Sequence, residues 1–157
     1  MFIDLDQFKY VNDTYGHQYG DEYLLDVSRR LAQGLRRTDV LGRLGGDEFG
    51  VIIPKCSYEE ANTVGLALLG ALAQENLEHG GKIVPVSASI GVALFQSQGA
   101  VSNDLLAKED AAMYTAKRNG RGQGHIFRED DTELWNMHAR IHRDEQSRWA
   151  RSENRFE

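Results

Sequence analysis

Four consecutive residues raise a chemical question. Gly45-Gly46-Asp47-Glu48 lies in GRLGGDEFGVII, between two apolar, strand-like runs. Glycines let a backbone come close to a ligand, and consecutive N–H groups can face a phosphate. An acid beside them cannot hold a phosphate unless a divalent cation sits between the two. Mg²⁺ takes one or two protein carboxylates and fills its other positions with phosphate oxygens and water. The tetrad therefore suits a metal–triphosphate. It also suits a plain Gly-Gly hairpin with solvated acids.

A second carboxylate is available near the start. Side chains alternate along a strand, so in Phe2-Ile3-Asp4-Leu5 Asp4 points to one face while Ile3 and Leu5 point to the other. An acid within an apolar strand is costly unless paired or metal-bound. If this strand neighbours the hairpin, Asp4 and Asp47 can meet across the sheet, a geometry of phosphoryl and nucleotidyl transfer. The plainer alternative is an acid exposed at a strand end. Guanine presents an N1–H and an amino group side by side, which one carboxylate can accept together. Asn12 and Asp21 are candidates for reading that base, and equally good turn or cap residues. Lys117 and Arg121 lie where a helix ends. They could reach the outer phosphates of a nucleotide, or simply complement the helix dipole.

These residues need elements to hold them. Phe2–Leu5 reads as a buried strand. Tyr23, Leu24, Val27, Leu31 and Leu35 recur at spacings of three and four, which predicts a helix over about 20–37. Residues 40–44 and 49–53 form a hairpin around the glycines. Ser57, with Glu59 and Glu60 behind it, starts a helix running to about residue 76. A turn at 80–81 leads to a long strand over 84–95. A further helix starts at Asn103 or Asp104 and ends near 119–120, and 125–127 could be a last strand. The order is strand, helix, hairpin, helix, strand, helix, strand. It predicts an α+β fold, an antiparallel or mixed sheet with helices on one face.

With 157 residues, 41% of them hydrophobic, the chain can bury one domain core. A net charge of −6 argues against general binding of nucleic acid or anionic membrane. Cys56 is the only cysteine, so no intrachain disulfide or cysteine-based zinc site forms, and a reducing cytoplasm fits. No apolar run approaches the length of a membrane span. Residues 128–157 are dense in charge of both signs, with a narrow apolar stripe at Leu134, Met137, His138 and Ile141. They read as a solvated helix or linker leaving the domain.

Four motifs in order, FIDLDQFKYVNDTYGHQYGD, RLGGDEF, SASIGVA and AMYTAKRNGRGQ, resemble the GGDEF domains, which are diguanylate cyclases. The resemblance covers about residues 1–127. It implies a palm-like sheet, as in nucleotidyl cyclases and polymerases, wrapped by helices. It implies condensation of two GTP into cyclic di-GMP with release of two pyrophosphates. By motif position, Asp4, the carbonyl of Leu5 and Asp47 would bind Mg²⁺ or Mn²⁺. Asn12 and Asp21 would read guanine, and His17 would lie in the substrate pocket. Gly45 and Gly46 would let the triphosphate pass, and Lys117 and Arg121 would hold its outer phosphates. Asp47, or Glu48 beside it, would help activate the 3′-hydroxyl. One domain holds one GTP, so the reaction implies a homodimer. Arg36 and Asp39, in Arg36-Arg37-Thr38-Asp39, match the family's product-inhibition site. The same residues also suit a basic helix end followed by a turn acid.

Two departures bear on organisation. The family's usual N-terminal helix and turn are missing before the first strand. Residues 134–157 resemble the helix leading into an EAL phosphodiesterase domain, which implies a piece of a larger GGDEF–EAL protein. A GTP-binding module that regulates an adjoining phosphodiesterase is therefore the competing expectation.

Overall fold

The computed structural model describes residues 1–74, 77–79, 81–94 and 103–128. Its main sheet has five strands in the order β2-β3-β1-β6-β7: β1 Phe2–Leu5, β2 Val40–Gly45, β3 Glu48–Ile52, β6 Ala88–Val92 and β7 Gly124–Ile126. A separate two-stranded hairpin joins β4 Leu77–His79 to β5 Lys82–Val84. Four helices complete the order: α1 Phe8–Tyr15, α2 His17–Gln33, α3 Tyr58–Ala73 and α4 Asn103–Arg118. The sheet is mixed. β1 is antiparallel to β3 and β6, and β6 is parallel to β7.

β1 sits at the centre and sorts its side chains by alternation. Ile3 and Leu5 are fully buried among Tyr23, Val27 and Leu31 of α2 and Leu68 and Leu72 of α3. Phe2 and Asp4 are half-buried on the opposite face. Their register partners on β6 are Gly91 and Ser89. A Cβ on Gly91 would lie 2.5 Å from the Glu109 carbonyl and 2.6 Å from the Met113 nitrogen. The backbone of α4 thus lies directly on β6, and buried Ala111, Ala112 and Ala116 let it come so close. Helices cover both faces of the sheet, α2 and α3 on one and α4 on the other, rather than one face. The physical reason is that β6 is buried on both sides, while β1 turns Ile3 and Leu5 to one face and half-buried Phe2 and Asp4 to the other.

Other differences from the sequence reading have local causes. Residues 8–15 form α1, a helix with only Phe8 and Val11 buried, packed against α2. α2 accordingly begins at His17. The long strand over 84–95 divides. Pro85 cannot donate to a ladder, residues 85–87 form a loop, and the Ser87 carbonyl there accepts from the Asp6 N–H at 2.9 Å. The carbonyl of Pro85 accepts from the Tyr23 phenol at 3.3 Å, and burial pushes that phenol up to about 12. α3 opens with the expected capping box between Ser57 and Glu60. The expected turn residue Gly80, the strand end at Phe95 and the tail from residue 129 onward lie outside the described residues. Among the described residues no helix is long and apolar enough to cross a membrane.

Candidate functional site

The glycine turn is built by its neighbours. Gly46 has a φ of +50°, a conformation glycine adopts without a Cβ clash. The Arg43 guanidinium donates twice to the Gly46 carbonyl, at 2.9 and 2.8 Å, and so clasps the turn. The register slips between Arg43 and Gly45, a bulge that re-aims the residues following it. A Cβ on either Gly45 or Gly46 would meet nothing within 4 Å, so open space lies over both. The Leu5 N–H then donates to the Asp47 carbonyl at 3.2 Å, which ties the turn to the end of β1.

That tie sets the turn beside the strand that carries Asp4. Glu48 is the register partner of Asp4 across β1 and β3, and like charges in that relation repel. The Lys117 ammonium offsets this by standing 2.8 Å from the Asp4 carboxylate. Lys117 arrives there because Met113, one turn earlier on the same face of α4, is pressed onto Gly91. Burial pushes the Asp4 carboxyl above the ordinary aspartate value; Lys117 opposes the shift, and the charges of Asp47 and Asp6 add to it. Asp4, Glu48, Asp110 and Lys117 line a cavity of about 210 Å³ with Phe2 and Met113. Burial also raises the Asp110 carboxyl.

Three acids against one ammonium make this cavity a place for positive charge. Among the described residues no three His, Cys, Asp or Glu side chains form a complete metal cage. A phosphate-bound Mg²⁺ needs only one or two carboxylates. Asp4 and Asp47, close enough for one charge to be felt by the other, fit that requirement, and Lys117 shows that Asp4 takes a cation.

The Asn12 side chain lies directly over Gly20, the residue before Asp21, where a Cβ would meet its oxygen. Asp21 and His17 are exposed on the first turns of α2, and Asn12 is half-buried. Arg121 follows α4 in a left-handed conformation, with φ of +63°. It lines a second cavity, of about 340 Å³, with Gln7, Tyr10, Tyr15 and Pro85. Arg36 and Asp39 lie elsewhere. They stand before β2, roughly 17 Å of strand from the glycine turn. Asp39 accepts from the Arg36 backbone N–H at 2.8 Å, and the Arg36 guanidinium is 3.7 Å from Glu60.

Two groups escaped the sequence reading. Asp110 lies one turn before Tyr114 on α4, and no motif logic marked it. Asp6 shares the alternation of Asp4, and that was a usable signal. Its carboxylate is buried and accepts three hydrogen bonds.

The chain has recognisable relatives among known proteins. The family model described as "Diguanylate cyclase, GGDEF domain" matches residues 1–123. The chain belongs to that family. It is 41% identical over 127 residues to MucR of Pseudomonas aeruginosa, a bifunctional diguanylate cyclase/cyclic di-GMP phosphodiesterase, covering 81% of this chain and 18% of MucR. It is 40% identical over 127 residues to PdeR of Escherichia coli, a cyclic di-GMP phosphodiesterase, covering 81% of this chain and 19% of PdeR. The chain thus spans under a fifth of either relative. Among solved structures, the GGDEF domain of TpbB from Pseudomonas aeruginosa superposes with a TM-score of 0.74 at 36% identity, over 81% of this chain and 80% of that one.

Proposed function

We propose that this chain is a diguanylate cyclase domain that joins two GTP molecules into cyclic di-GMP and releases two pyrophosphates. The observation that carries the reading is Asp4, paired with Lys117 and sharing a cavity with Glu48, at the foot of an open glycine turn whose Asp47 carbonyl is tied to Leu5. Asp4, Asp47 and the Leu5 carbonyl would hold Mg²⁺ or Mn²⁺. Such an ion would supply charge neutralisation for the phosphates and acidity for the attacking hydroxyl. Asn12 and Asp21 orient guanine, with His17 at the edge of the pocket. Gly45 and Gly46 let the triphosphate pass over the hairpin, and Lys117 and Arg121 hold its outer oxygens. Asp47 accepts the proton of the 3′-hydroxyl; Glu48 is the neighbouring candidate for that role. The 3′-oxygen of one GTP bonds to the α-phosphorus of the other as the bond to pyrophosphate breaks. Two such attacks close the ring, so two domains must face each other as a homodimer.

Residues 1–127 form the cyclase domain in this reading. Residues 128–157 lead toward an EAL domain in a cytoplasmic part of a longer protein. Arg36 and Asp39 bind product and inhibit. The likeness to PdeR, named as a phosphodiesterase, favours one second reading: a GTP-binding module that controls an adjoining phosphodiesterase without synthesis. Incubating the dimeric chain with GTP and Mg²⁺ separates the two. Cyclic di-GMP in the product supports the cyclase. GTP binding without turnover supports the regulator, and no GTP binding rejects both.

A further inference from the structure

Asp6 does not belong to the proposed machinery, yet its carboxylate is the most heavily engaged side chain near it. One oxygen accepts from the Ser89 hydroxyl at 2.8 Å. The other accepts from the Ser87 hydroxyl at 2.7 Å and from the Gly122 N–H at 3.0 Å. The carboxylate is buried, at 9% exposure, whereas Gly122 is exposed. Three parts of the chain therefore meet on one side chain: the end of β1, the start of β6 with the loop before it, and the turn after α4.

The backbone around this meeting point is strained. Gln7, directly after Asp6, has a φ of +62°, and Arg121, directly before Gly122, has a φ of +63°. Side chains disfavour that region, and such residues persist only where the surroundings hold them. Arg121 is held on one side by its own N–H to the Ala116 carbonyl at 3.2 Å. On the other side it is held by the bond from Gly122 to Asp6. β1 grips this segment at two points two residues apart: Asp4 takes Lys117, and Asp6 takes Gly122.

We infer that Asp6 is a positioning residue that clasps the 120–122 turn to β1 and thereby aims Arg121 at the outer phosphates of the bound nucleotide. The inference rests on the function proposed above, because it names the group that sets one of its phosphate contacts. Asp6 itself touches no substrate in this account.

The test uses the full chain and two readouts. The first needs no nucleotide. In the wild type, the exposed Gly122 amide exchanges with solvent at least about tenfold more slowly than an unstructured peptide. In Asp6→Ala it approaches the peptide rate, because no side-chain acceptor remains. The second readout is the preference for GTP over GMP by calorimetry. Asp6→Ala lowers that preference about tenfold, the scale of a lost charge-assisted contact. Affinity for GMP is unchanged. Arg121→Ala gives the same loss, and the double variant loses no more. Ser87→Ala leaves the Gly122 bond and the preference intact.

An unprotected Gly122 amide in the wild type overturns the clasp, and this holds even if Asp6→Ala does not fold. Equal loss of GTP and GMP affinity in Asp6→Ala, or additivity with Arg121→Ala, shows a purely structural role and overturns the aiming. A wild type with no preference for GTP over GMP overturns the proposed function and the aiming together, while the exchange result still decides the clasp.

Discussion

The β2–β3 hairpin has two ends, and they are finished differently. At the turn end, glycines leave open space, Arg43 clasps the backbone, and Glu48 lines the α4-side cavity with Asp4 and Lys117. At the other end, the Arg36–Asp39 turn closes on itself through a backbone bond to Asp39, and its exposed guanidinium leans toward Glu60 at the start of α3. The first end gathers like charges that need a cation to neutralise them. The second pairs its own charges at the surface. A polar cluster kept under-compensated suits chemistry. A self-contained arginine fork suits recognition of an anion without chemistry.

The largest expected effect breaks the comparison at the turn end. Asp47→Ala reduces synthesis of cyclic di-GMP by about a thousandfold or more, the scale of removing a group that stabilises the transition state, while the melting transition stays cooperative. Retained synthesis contradicts the assignment. Next come the two glycines, which separate backbone from space. Gly46→Val forces a β-branched residue to a φ of +50° and costs about 1–3 kcal/mol in denaturant unfolding. Gly45→Ala has no such strain, so stability holds and turnover falls because the methyl narrows the phosphate path. Equal stability losses at both positions contradict that division.

At the other end, Arg36→Ala leaves the initial rate and melting temperature unchanged and weakens inhibition by added cyclic di-GMP about tenfold. Unchanged inhibition shows that the turn is only a turn. The smallest effect is a titration in the metal-free protein. Asp4 protonates at a higher pH than an ordinary aspartate, because burial disfavours its charge. Lys117 favours that charge, so Lys117→Met moves the Asp4 titration higher still. Carboxyl NMR reads both shifts, and a downward move with Lys117→Met contradicts the pairing.

Much of this was legible in residue order. Alternation put Asp4 opposite Ile3 and Leu5, and the apolar spacing of Tyr23, Val27 and Leu31 marked α2 as an amphipathic helix. The Gly-Gly turn was legible as a turn, although only Gly46 is conformationally required. What stayed hidden depends on tertiary partners. α1 carries two buried residues and reads as polar loop until α2 supports it. The split of the 84–95 run follows from Pro85 and from Asp6 claiming the Ser87 carbonyl, 81 residues away. Neither the Lys117–Asp4 pair nor the Asp6 clasp has any local signature, because each joins β1 to the end of α4 across more than a hundred residues.

The central claim is that Asp4 and Asp47 share one divalent ion that holds GTP under the glycine turn. A crystal structure with Mn²⁺ and a non-reactive GTP analogue, with the ion located by its anomalous signal, tests it most directly. The account predicts one Mn²⁺ in contact with both carboxylates and the triphosphate. An ion that touches only one of them, or a triphosphate bound away from Gly45 and Gly46, contradicts it.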